Sequence, residues 1–219
     1  MKKQYIILTL LAVLVFAASS SAQFLGQMSP ASVIPTGSSK IDSYLMVGEN
    51  SIGVAGQFRY GFSQFVEGRA RLGFIDPEYG DMNVILGGDL KYLIMPYDEQ
   101  KNKFDMALGG GFEYTKLGGT SFLGITGSVL GSIPMQLENN KSITPYARVG
   151  LRVQRVSIDD QNINTGAGTV TVEGGSDTKL KIGANIGAEF SVIDLTDFMA
   201  EIQIDDEFGF FFGINLFEF

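Results

Sequence analysis

The chain has 219 residues with no cysteine and no histidine, and much of the chemistry of active sites is absent with them. Its serines lack the base that turns a hydroxyl into a nucleophile, and no thiolate or imidazole is present to hold a transition metal. Carboxylates remain. The adjacent pairs Asp159/Asp160 and Asp205/Asp206 could do acid–base work only if held in a cleft. Both stand where strands are expected to end, so they read as solvated loop charge. Asp159, Asp160, Asn162 and Asn164 offer oxygens to a calcium ion, without the spacing and glycine of a calcium loop. The groups Gly87-Gly88, Gly109-Gly110-Gly111 and Gly118-Gly119 lack the strand, helix and Gly-Lys-Ser/Thr context of a phosphate cradle; relief of crowding or kinking is the expectation. No catalytic residue, metal or cofactor is expected, and the chain does not read as an enzyme.

The remaining charged residues fall into a pattern. Glu67, Arg69 and Arg71 share one parity while Val66, Gly68, Ala70, Leu72 and Phe74 share the other. Asp89 and Lys91 oppose Val84, Leu86, Leu90, Tyr92 and Ile94; Arg148, Arg152 and Gln154 oppose Val149, Leu151 and Val153. Lys179, Lys181, Asn185 and Glu189 oppose Leu180, Ile182, Ala184, Ile186, Ala188 and Phe190. A period of two is that of a strand with unlike faces, and no stretch holds a helical stripe. The alternation predicts an all-β chain of ten strands, near 43–49, 52–62, 64–75, 83–95, 104–116, 121–137, 142–158, 178–193, 197–205 and 208–219, with eight if the first pair stands apart.

Residues 1–22 have a basic start at Lys2 and Lys3, an apolar run from Tyr5 to Ala18 and small residues at Ser20 and Ala22, the form of a secretory signal peptide cleaved after Ala22. The run of about 14 apolar residues falls short of the roughly 20 that a spanning helix needs. Residues 23–42, with Pro30 and Pro35 among serines and glycines, read as a leader or linker, and 43–219 as one β domain. Without Lys2 and Lys3 the chain has 14 basic against 24 acidic residues, an unsuitable balance for binding nucleic acid.

A sheet with one apolar face either folds that face around a dry core or turns it into lipid. Three features favour lipid. The polar face holds few charges, in a chain that is 18% charged, whereas soluble barrels have a more charged exterior. Short connections at 62–65, 138–141 and 193–197 interleave with longer ones at 76–81 and 159–177, as periplasmic turns interleave with external loops; 96–103 is longer than this rule asks and 205–207 shorter. Lastly, the chain closes on an aromatic strand, Phe208-Gly-Phe-Phe-Phe-Gly-Ile-Asn-Leu-Phe-Glu-Phe219.

That final strand resembles those of bacterial outer-membrane β-barrels, which end in an aromatic-x-aromatic signal read by the β-barrel assembly machinery. Phe217 and Phe219 match the signal, and the glycine usual a few residues earlier is displaced to Gly213. Phe208, Phe210 and Phe212 lie on the opposite parity from Phe217 and Phe219, and a bulge near Asn215 would reconcile the two. The resemblance implies a closed antiparallel transmembrane up-and-down barrel of the small OmpA/OmpX/OmpW-like kind, exported to the outer membrane of a Gram-negative-type bacterium, with outer-membrane lipids around it. Small barrels of this class that are enzymes use histidine, which is missing here. Aromatic residues at Phe58, Tyr60, Phe62, Phe65, Tyr92 and Tyr97 would form a girdle at the periplasmic headgroups. The sixth and seventh strands are long enough to project beyond the bilayer on the loop side.

In such a barrel Glu67, Arg69, Arg71, Asp89, Lys91, Glu113, Arg148, Arg152, Lys181, Glu189 and Glu201 line the interior. With about ten strands that interior is narrow, and a lumen filled by paired charges is expected ahead of an open pore. The acidic 159–177 loop, with Asp159, Asp160, Asn162, Asn164, Glu173 and Asp177, is the candidate contact for a surface partner. The first expectation is a structural or surface-interaction role. A narrow porin-like channel for small or apolar solutes is the second. A soluble lipocalin-like carrier with its apolar face inward is the third, although the tryptophan motif common in that family is missing.

Overall fold

The computed structural model describes residues 28–48, 51–77, 82–117, 120–138, 141–158, 161–164, 169–172, 174–193, 196–205 and 208–219. The strands, in chain order, are β1 Ser39–Gly48, β2 Ser51–Ser63, β3 Val66–Pro77, β4 Asn83–Met95, β5 Asp105–Leu117, β6 Thr120–Ser132, β7 Met135–Gln136, β8 Ser142–Ile158, β9 Gln161–Asn164, β10 Thr169–Val172, β11 Gly175–Ile193, β12 Thr196–Ile204 and β13 Phe208–Glu218. Ten of them form one closed antiparallel barrel, in the order β11-β12-β13-β1-β2-β3-β4-β5-β6-β8, with β8 pairing back onto β11. The eight-strand alternative is set aside. β7 is a two-residue extension at the foot of β8, and β9 with β10 makes a separate ribbon.

The first and last barrel strands pair from Lys40 opposite Glu218 to Gly48 opposite Gly209. This pairing gives the terminal strands' backbone groups partners along their length and closes the barrel wall. The register slips between Ile41 and Asp42, which face Phe217 and Asn215, so Leu216 is the extra residue of a bulge. The bulge puts Phe217 and Phe219 on the outside together with Phe208, Phe210 and Phe212, all exposed, while Phe211 and Asn215 are buried.

Side-chain alternation sets the two surfaces. Leu180, Ile182 and Ile186 are 69%, 68% and 59% exposed, and Leu45, Val54, Leu72, Leu86, Phe112, Ile125 and Leu151 continue the apolar exterior around the barrel. Phe58, Phe62, Phe65 and Tyr92 are exposed near the end where the sheet's termini lie. Most of the charged side chains on the opposite parity are buried.

Three elements differ from the sequence reading. β6 stops at Ser132 instead of near 137, because Pro134 has no N–H to give to the ladder. The long strands are therefore β8, with 17 residues, and β11, with 19; nine residues of β11 run on beyond Ala184, where its pairing with β12 ends. β1 begins at Ser39, and the segment before it is inside the barrel. Pro35-Thr-Gly-Ser38 makes a turn in which Ser38 N–H donates to Pro35 O (3.1 Å), and Gly37, at φ 83°, takes the positive φ that a type II turn requires. The turn sends residues 28–35 down the lumen before β1 climbs the wall.

Candidate functional site

The lumen is where the charged residues converge. The inward parity of β2, β3 and β4 brings Arg59, Glu67, Arg69, Arg71, Asp89 and Lys91 together. Glu67 accepts from Arg59 Nε and Nη2 at 3.1 Å each and lies 3.3 Å from Lys91 Nζ. Asp89 accepts from Arg69 Nε at 2.6 Å and pairs with Arg71 at 3.0 Å. Gly111 of β5 makes room for this pair, since a Cβ there would collide with Asp89 and with the Gly88 carbonyl. Beside them Asp42 of β1 accepts from Gln57 (3.2 Å) and from Asn215 (3.1 Å), which the bulge points inward. Burying charges costs several kcal/mol per ion, roughly, unless partners and hydrogen bonds offset it, and here each carboxylate has more than one donor.

Across the lumen β8, β11 and β12 supply a second group. Glu201 accepts from Tyr146 Oη (2.8 Å) and Asn185 Nδ2 (2.6 Å) and lies 3.5 Å from Arg148 Nη2. Nearer the loop end Asp205 accepts from Arg152 (3.3 Å) and Gln203 (2.9 Å). Asp205 is thus part of the interior network, which corrects its reading as solvated loop charge; it ends a strand on the inward parity. Asp206 and Asp159/Asp160 lie outside the described residues.

Residues 28–35 lie inside the barrel against the first group. Lys91 Nζ donates to the carbonyls of Pro30 (3.0 Å) and Ser32 (2.6 Å) and to Ser29 Oγ (3.2 Å). Arg69 Nη1 also reaches Ser29 Oγ (2.5 Å). Ile34 N–H donates to Glu67 Oε2 and Ala31 N–H to Ser132 Oγ, both at 3.0 Å. Met28 joins Tyr44, Met46, Ala55, Ile75, Ile85, Met199 and Phe211 in an apolar cluster within the barrel, and Ala31 packs with Ala107 and Leu130. Gly61 of β2 lets this segment pass, because a Cβ there would strike the carbonyls of Ile34 and Pro35.

Of the interior residues expected from sequence, Glu67, Arg69, Arg71, Asp89, Lys91, Glu113, Arg148, Arg152 and Glu201 are buried, and Lys181 and Glu189 are half-buried on the inward parity of β11. The sequence reading missed Asp42, Arg59, Tyr146 and the 28–35 segment. Gln57 and Arg59 alternate with the apolar Phe58 and Tyr60, a signal that could have found Arg59. Nothing in a Pro/Ser-rich stretch distinguishes a lumen filler from a linker. In the 159–177 loop, Asn162 pairs with Thr171 and Asn164 with Thr169 in the β9–β10 ribbon, Asp177 is exposed on β11, and Glu173 is outside the described residues. Among the described residues no three carboxylates gather where they could hold a metal ion.

No family model and no curated protein matches the chain. Among solved structures it is similar to the KdgM porin at 8% identity, covering 81% of this chain and 98% of that one with a TM-score of 0.41. It is similar at 13% to the N-terminal β-barrel domain of Pseudomonas aeruginosa OprF, covering 84% and 98% with a TM-score of 0.38. A third likeness, at 12%, is to Ail, the attachment invasion locus protein of Yersinia pestis, covering 84% and 99% with a TM-score of 0.30.

Proposed function

We propose that this chain is an integral outer-membrane barrel with a structural or surface-interaction role and a lumen closed to solute flow. The observation that carries the closed lumen is the occupation of the interior by residues 28–35, held by Lys91, Arg69 and Glu67. The membrane placement is supported by the apolar exterior and the closed barrel wall: in hydrocarbon every peptide group needs a partner within the protein. The end holding Ser39 and Phe219 then faces the periplasm and the β8–β11 hairpin projects outside, offering the 159–177 loop to a partner. Residues 1–22 serve as the export signal, and Phe217 and Phe219 as the mark for the assembly machinery. A carrier of apolar ligands has no support from an interior lined by paired charges.

The full chain is assembled into planar bilayers to test the closed lumen. Rare or no steady openings are expected, together with stepwise conductance in a variant lacking residues 23–34. Steady conductance of the full chain would instead establish the narrow channel.

A further inference from the structure

We infer that the cavity bounded by β6, β8, β11 and β12 near the loop end is a binding site for a small oxyanion, of the size of phosphate or acetate. Its shape follows from register. Gly183 of β11 faces Gly150 of β8, which faces Ser128 of β6, so the wall carries almost no side-chain volume at that level. One level towards the loops Lys181 faces Arg152, and one level towards the turns Asn185 faces Arg148. The result is a cavity of about 30 Å³ lined by Arg148, Arg152, Lys181, Asn185, Ser128 and Asp205, among others. That is space for a few water-sized groups or one compact anion.

Charge and hydrogen bonding point the same way. Three cations line the cavity with Asp205, which Arg152 engages, and Glu201 lies beside Arg148; the cations exceed these carboxylates by one, in a chain of net charge −8. Lys181 and Arg152 stand directly opposite each other, an unfavourable like-charge pairing. Asp205 answers Arg152 at 3.3 Å, and a bound anion adds a second negative charge at this level. Ser128 Oγ is buried and has no hydrogen-bond partner, leaving a hydroxyl donor for an oxyanion inside the cavity. Guanidinium groups suit such a ligand because their paired N–H donors match two oxygens of a carboxylate or phosphate.

The test uses the full chain folded in detergent micelles, with sodium phosphate and sodium acetate titrated calorimetrically against a sodium chloride background of equal ionic strength. Saturable binding at one site per chain is expected, weakened about tenfold or more by Lys181→Gln and several-fold by Ser128→Ala. Lys179→Gln, a change at a residue outside the cavity lining, leaves it unaltered. Heat-shifted electrophoretic mobility confirms that each variant is a closed barrel. If Lys181→Gln does not fold, Ser128→Ala decides alone. Binding no stronger than in chloride, or unchanged affinity in a folded Lys181→Gln or Ser128→Ala barrel, would overturn the proposal.

Discussion

Lys91 of β4 donates from Nζ to the main-chain carbonyl of Ser32 at 2.6 Å, tying the barrel wall to a segment that precedes the first strand. The same ammonium lies 3.3 Å from Glu67, so one side chain both balances a buried carboxylate and anchors the lumen filler. Lys91→Met keeps the side-chain volume and removes these contacts. We expect the hydrogen-bonded amides of Ala31 and Ile34 to exchange faster with solvent by tenfold or more, while amides of β8 and β11 stay protected. Equal exchange in both proteins would show that Lys91 does not hold the segment.

Glu67 is the carboxylate on which Arg59, Lys91 and the Ile34 amide converge. Glu67→Gln leaves buried cations short of a countercharge, which costs about 3–5 kcal/mol. Urea unfolding in lipid vesicles measures it, and a loss under about 1 kcal/mol would show that the remaining carboxylates compensate.

Inside and outside on β11 separate cleanly. Ile186→Arg puts a charge on the exterior at a cost of about 2–4 kcal/mol near the bilayer midplane, so little folded barrel is expected in the membrane. Lys181→Gln is accommodated in the lumen and accumulates as the unaltered chain does. Similar amounts of both, by heat-shifted electrophoresis of membrane fractions, would refute the assigned faces.

Gly111→Val tests the close approach of β5 to Asp89. Its Cβ falls on the side chain and backbone of Asp89, so the Arg69–Asp89–Arg71 cluster must shift, with an expected loss of about 1–3 kcal/mol. Gly127→Val, on the neighbouring strand where a Cβ meets nothing within 4 Å, is the matched control and loses less.

Truncation of Phe219 removes both an exposed aromatic ring and the backbone pair it makes with Ser39, whose N–H donates to Phe219 O at 3.0 Å and whose carbonyl accepts from Phe219 N–H at 2.9 Å. Slower assembly in cells is expected, with near-normal refolding of the purified chain into detergent. Loss of both together would locate the effect in barrel closure instead of in recognition by the assembly machinery.

The alternation of apolar and polar residues by itself determined that this is a β chain, where eight of its ten barrel strands lie to within a few residues, which parity faces out, and that the last strand needs a bulge. These are local properties: the period of the backbone sets them, and a slip by one residue would move every side chain to the wrong surface. Tertiary structure alone decided the partners. Glu67 meets Lys91 across neighbouring strands, yet Tyr146 reaches Glu201 across 55 positions of sequence, and the cavity at Gly150 and Gly183 exists only because three strands align in register. The 28–35 segment is the clearest case. Its residues carry no period, and they gain one place only when a closed wall of buried cations surrounds their carbonyls.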